Sequence, residues 1–201
     1  MGRSICQSQL VHYKNNNIMT IEEAKIKLRE YFEEACDVLR VNHQQISFVY
    51  DHIGEKFRTE GNTCETDGNI LYINEDWIKM VIRDNFLYDL QYQMYHEARH
   101  YYQSYAIIDF HVRGKTCESV ATIHQWEKEN ADYARNEGTE ETQRANAAQT
   151  IEIDANAFAI VMLHVKGIDE ARAPEEQMEA TEKRAQEIYK TLLIMKRIPQ
   201  G

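Results

Sequence analysis

Proline and glycine are scarce in this chain, two and eight among 201 residues, and neither occurs between Gly68 and Gly114. These are the residues that interrupt helices, so their scarcity predicts a mostly helical protein. No run reaches the roughly 18 apolar residues of a membrane-spanning helix, and residues 1–13 lack the apolar stretch of a signal peptide. The four cysteines, Cys6, Cys36, Cys64 and Cys117, are scattered with no C-x-x-C pair. That favours reduced thiols in a cytoplasmic protein over a disulfide framework or a thiolate metal site. An excess of basic residues is missing as well. A formal charge of −10 argues against a nucleic-acid partner, which needs cations for its phosphates, and acidity of this size serves solubility.

What is present is globular: 43% apolar and 28% charged residues, enough for a core. Residues 1–18 are polar, carry the Asn15-Asn16-Asn17 run, and read as a flexible arm; residues 19–201 read as one domain. Thr20 and Glu23 form a capping box, and Ile21, Ala24, Ile26, Leu28, Tyr31, Phe32, Ala35, Val38 and Leu39 continue an amphipathic helix to about residue 41. Short β-type runs follow at 46–50 and 69–74, with turns around Gly61 and Gly68. A short helix is expected at 75–83, with Asp84 as a cap for the next. Further helices are expected at 117–134 and 175–197, and the polar stretch 127–148 reads as a loop or an exposed helix bridging two halves of a site. The fold class that follows is α+β and predominantly helical.

The helix expected over 85–108 carries His96-Glu97-Ala98-Arg99-His100, an H-E-x-x-H pattern. Residues four apart on a helix lie one above the other, so the two imidazoles can share one divalent cation while the glutamate faces what that cation binds. Leu87, Leu90, Met94, Ala98, Tyr101, Tyr105 and Ile108 define one apolar stripe, within about 60° of arc. His96 and His100 lie well over 100° from its centre at the helical period of about 100° per residue. A second structured surface is therefore expected to cover them. The alternative is a pair of satisfied core histidines.

Residues 151–165 are apolar nearly all round, yet Glu152 and Asp154 stand at the start, with Asn156 four residues after Glu152. Buried carboxylates are costly unless paired or bound to metal. Glu152 is expected as the third ligand, brought to the histidines by antiparallel helix packing, leaving a fourth position open as in catalytic zinc sites. The alternative places both acids in the positive field of a helix N-terminus capped by Thr150.

His96-Glu97-x-x-His100 followed by Glu152-x-x-Ala155-Asn156 resembles the gluzincin metallopeptidases, and the second segment is similar to that of the ImmA/IrrE-type zincins of bacteria and mobile elements. The resemblance covers about a third of the chain and departs from those families at Gln93-Met94-Tyr95, which is more polar, and at Asn156, where many have Asp. It implies a zincin-like fold with a small antiparallel sheet packed on a central H-E-x-x-H helix. It also implies that the strand at 69–74 is an edge strand beside the cleft, pairing with an extended substrate.

The implied activity is zinc-dependent hydrolysis of peptide bonds in a protein or peptide substrate, with no nucleic acid or membrane involved. Zn2+ would be held by His96, His100 and Glu152, with Glu97 as general base. Asp154 or Asn156 would accept a hydrogen bond from a ligand histidine. His124, Tyr133 and Arg144 are candidate oxyanion stabilisers, each with a structural alternative. Two other readings remain open: a zincin-fold protein with weak turnover that acts through protein contacts, and an acidic helical interaction protein with an accidental motif.

Overall fold

The computed structural model describes residues 19–58, 62–136, 139–169 and 173–199; the expected N-terminal arm, with Cys6, lies outside them. The protein is α+β and predominantly helical, with seven α-helices among the described residues and one small sheet. The order is α1 (Ile21–Leu39), β1 (Ser47–Asp51), β2 (Cys64–Asp67), β3 (Ile70–Asn74), α2 (Glu75–Asp84), α3 (Tyr88–Arg113), α4 (Val120–Ala131), α5 (Glu140–Ala147), α6 (Thr150–Val165), a 3₁₀ turn (Glu175–Gln177) and α7 (Met178–Ile194).

The capping box opens α1, with the Glu23 amide donating to Thr20 Oγ1 and the Thr20 amide donating to Glu23 Oε2 at 2.7 Å. Strand β3 runs directly into α2 because the Asn74 side chain, at the strand's last residue, accepts from the Asp76 and Trp77 amides. Asp84 does not cap the following helix. It pairs with Arg83, and the α3 N-cap position is Leu87, which makes no side-chain cap.

The sheet departs from expectation in two ways. Its order is β1-β3-β2, with β1 parallel to β3 and β2 antiparallel to it, so it is mixed rather than antiparallel. The strand expected at the edge, β3, is central, and it buries Leu71 and Ile73. The edge beside the cleft is β2, which the sequence reading missed because its residues, Cys64-Glu65-Thr66-Asp67, include one β-branched residue, no aromatic one and two acids that strands disfavour. It exists as the partner half of a hairpin turned at Gly68, which takes the left-handed φ of +57°.

Helix α3 is the centre of the molecule. Its apolar stripe meets α1, where Phe32 packs on Tyr101 and Tyr31 meets Tyr95 edge-on. Its other side meets α6. Helix α6 is buried on nearly every face, from Ile151 to Leu163, and α7 covers it from outside. Full burial of a side chain such as Phe32 or Phe158 contributes about 1.5–3 kcal/mol. These layers make α3 buried on both sides, which is why His96, Glu97 and Arg99 are buried although they lie off the apolar stripe.

Candidate metal centre

Side-chain pairings between α3 and α6 run in opposite order along the two helices: Gln103 with Ile151, Arg99 with Asp154, His96 with Asn156. The helices are therefore antiparallel, and Glu152 falls opposite the histidine pair. One ligand atom from each of His96, His100 and Glu152 lies within 4.8 Å of the others. His96 Nε2 and His100 Nε2 are 2.9 Å apart, with Glu152 Oε2 3.5 Å from the first and Oε1 3.2 Å from the second.

Two imidazole nitrogens and a carboxylate oxygen converging on one point are a donor set that suits zinc. The local electrostatics fit the same role. Burial alone would lower the His100 pKa, but the Glu152 charge and hydrogen bond outweigh it and hold it at about 9. The same histidines hold the Glu152 carboxyl well below its ordinary range against the opposing effect of burial. His100 thus keeps a proton where a cation would stand.

Each imidazole is supported at its other nitrogen. His96 Nδ1 lies 2.8 Å from Asn156 Oδ1, and His100 Nδ1 lies 2.8 Å from Gln103 Oε1. An amide oxygen can only accept, so both Nδ1 atoms carry the proton. Asp154, the other candidate for this support, touches neither histidine. Arg99 donates to it from Nε at 2.7 Å and Nη2 at 3.1 Å, Arg184 Nε at 2.7 Å and Gln103 Nε2 at 2.7 Å. Glu118 joins the same network by accepting from both arginines. A buried aspartate facing two guanidiniums is fully matched, which leaves no acceptor for a histidine.

Glu97 faces the same cleft and is held at both oxygens: Gln93 Nε2 donates to Oε1 at 2.8 Å and Thr66 Oγ1 to Oε2 at 3.1 Å. Tyr133 donates its hydroxyl to Glu152 Oε1 at 2.6 Å and accepts from Asn146 Nδ2. Burial, then the neighbouring Glu152 charge, push this phenol well above its ordinary pKa, so it remains a donor at neutral pH. The two other oxyanion candidates lie elsewhere. His124 is exposed on α4 beside Glu127, and Arg144 is exposed on α5 beside Glu140. Their helices turn them to solvent, and neither lines the cleft.

The cleft over the cluster has a volume of about 700 Å³ and is lined by Cys64, Glu65 and Thr66 of β2 and by Tyr133, Arg135 and Asn136. The last three belong to the polar stretch read as a loop or bridging helix: α4 ends at Ala131, and α5 begins only at Glu140. Thr150 does not cap α6. Glu129 of α4 accepts from the Thr150 and Ile151 amides, at 3.0 and 2.8 Å, and takes that role.

Sequence reasoning missed Thr66, Gln93, Gln103 and Gln177. Gln93 is four residues before Glu97 and Gln103 three after His100, spacings at which helical side chains meet, so these two were detectable. Thr66 and Gln177 carried no such signal. No family model matches the sequence, and no curated protein or solved structure matches it.

Proposed function

We propose that this chain is a zinc metallopeptidase with a zincin-like, gluzincin-type site that hydrolyses peptide bonds in a protein or peptide substrate. One observation carries the reading: His96, His100 and Glu152 converge within 4.8 Å, in the cleft that Glu97 also lines. These three side chains would hold the metal, and they leave a further position open to the cleft. When bound, zinc supplies a Lewis acid for a carbonyl oxygen and lowers the pKa of water towards ~7.

The chain's own residues account for the remaining work. Glu97, fixed by Gln93 and Thr66, accepts a proton from the attacking water and returns it to the leaving amine. The Tyr133 hydroxyl, which donates to Glu152, would turn that proton to a developing oxyanion once substrate is bound. Cys64, Glu65 and Thr66 of the edge strand β2 line the cleft, so an extended peptide adds there as a further strand through main-chain hydrogen bonds. The support given to Glu97 at both oxygens favours turnover over a role limited to protein contacts.

Metal analysis of protein purified without chelator tests the site. Near-stoichiometric zinc is expected, and it should be lost in His96→Ala and in Glu152→Ala. Full zinc occupancy in Glu152→Ala would overturn the third ligand. For catalysis, Glu97→Gln should keep metal and fold while cleavage of an unstructured protein substrate falls by about 10²–10⁴-fold. Cleavage equal to the parent's would rule out Glu97 as the base.

A further inference from the structure

A neutral imidazole has one protonated and one bare nitrogen, and only the bare one binds metal. Which nitrogen is bare depends on what the other one meets. In this protein both Nδ1 atoms meet side-chain amides, and an amide presents an oxygen on one side and an NH₂ on the other. Turned around, either amide would take the proton off Nδ1, place it on Nε2 and abolish the ligand. The orientation of those amides is therefore decisive.

Each orientation is fixed from further away by a group that can only accept. The Ala147 carbonyl, in the last turn of α5, accepts from Gln177 Nε2. Gln177 Oε1 is thereby turned towards Asn156 and accepts from its Nδ2 at 2.8 Å. Asn156 Oδ1 is left to accept from Tyr92 Oη at 2.7 Å and from His96 Nδ1. On the other histidine, the Ile151 carbonyl and Asp154 Oδ2 accept from Gln103 Nε2 at 3.0 and 2.7 Å. Gln103 Oε1 is then turned to His100 Nδ1. Gln103 is 0%, Gln177 4% and Asn156 7% exposed, so water cannot readily replace a missing partner.

We propose that two amide relays, from the Ala147 carbonyl through Gln177 and Asn156 to His96, and from the Ile151 carbonyl through Gln103 to His100, hold a proton on Nδ1 of both imidazoles, so that Nε2 is the nitrogen each gives to a divalent cation. Gln177 and Gln103 are positioning residues of the site. Both relays start within the few residues that lead into Glu152, so the backbone that delivers the third ligand also sets the protonation pattern of the other two. This inference rests on the metal-site reading above and adds residues to it that touch no metal.

Zinc affinity of the full chain, measured by competition with a chromophoric chelator, tests the relays. Gln177→Met, which removes both bonds, should weaken binding by about 10–100-fold, with the cooperative thermal melt of the metal-free protein retained. Gln177→Glu still accepts from Asn156 but cannot donate to the Ala147 carbonyl, and should fall between Met and the parent. A merely structural Gln177 predicts the reverse order, because a carboxylate set against a carbonyl disturbs packing more than a thioether does. The visible spectrum of the cobalt(II)-loaded protein should shift in Gln177→Met as the His96 ligand is lost or displaced.

Unchanged zinc affinity in Gln177→Met, or Glu binding more weakly than Met, overturns the relay. If Gln177→Met loses its cooperative melt, Gln103→Met carries the same test at His100, where unchanged affinity again overturns it. A parent protein that binds no zinc would sink the metal-site reading itself, a result distinct from a parent that binds and variants that match it.

Discussion

Glu152 and Asp154 stand two residues apart at the start of α6, both buried, and they meet opposite surroundings. Asp154 faces Arg99 and Arg184, with Glu118 as the second acid of a network of two cations and two anions. Aromatic rings close over it, with the Arg99 guanidinium 4.4 Å from the Tyr102 ring centre and 5.5 Å from that of Trp126. Glu152 faces two histidines and a tyrosine. Arginine cannot shed its proton, whereas histidine can. The first carboxylate is permanently matched, and the second is matched only while a proton or a metal ion occupies the space between the rings. Burial of an acid is therefore a weak sign of function; the ionisation behaviour of its partners is the sharper one.

Substitution separates the two sites most strongly in stability. Asp154→Ala leaves the buried Arg99 and the half-buried Arg184 with Glu118 as their remaining shared anion and should destabilise the metal-free fold by about 3 kcal/mol, measured by urea denaturation. Glu152→Ala should cost clearly less in the same assay, because His100 can become neutral, while it abolishes zinc binding. Equal losses would erase the distinction drawn above.

A smaller effect distinguishes them by pH. The His100 pKa is raised from 6.5 to about 9 in the metal-free protein. Its contribution to stability is full below pH 6.5 and disappears as pH rises through about 9. Asp154 is shifted the other way: burial would raise its pKa, but Arg99 prevails and lowers it below 3.8. Its contribution holds at all pH above that ordinary value and disappears only as pH falls through the depressed one. A denaturation series from pH 6 to 10 should therefore show a loss in the metal-free protein that Glu152→Ala lacks. Saturating zinc should reduce it, since the metal replaces the proton. An identical slope in the parent and Glu152→Ala would place the loss elsewhere.

Much of this was legible in residues that are close in sequence. The capping box at Thr20 and Glu23, the amphipathic spacing of α1 and the apolar run of α6 each report local geometry, and the structure contains all three elements. The candidate ligands were legible because two of them share one helical face and the third is an acid in an apolar helix. What escaped depended on distant partners. Strand β2 owes its conformation to pairing with β3, and Thr66 reaches Glu97 only because that pairing sets it beside α3. Asp154 and Asn156 both looked like supports for a histidine. The choice between them was made by Arg99 and Arg184, from α3 and α7. His124 and Arg144 were candidates by residue type alone, and the rotation of short helices α4 and α5 turned them outward.

The grip of Glu129 on the first amides of α6 has an architectural consequence. It pinches the chain together at residues 129 and 150–151, while Gln149 and Asn146 hold Ala134 a few residues further in. Ala134 and Asn146 are thus anchored to one another whatever the length of chain between them. Closure entropy grows slowly, about 0.6 kcal/mol for each doubling of a flexible loop. Residues added between these two anchors would leave Glu152 in register with the histidines. The connection from α4 to α5 is free to change length, and the floor of the cleft is not.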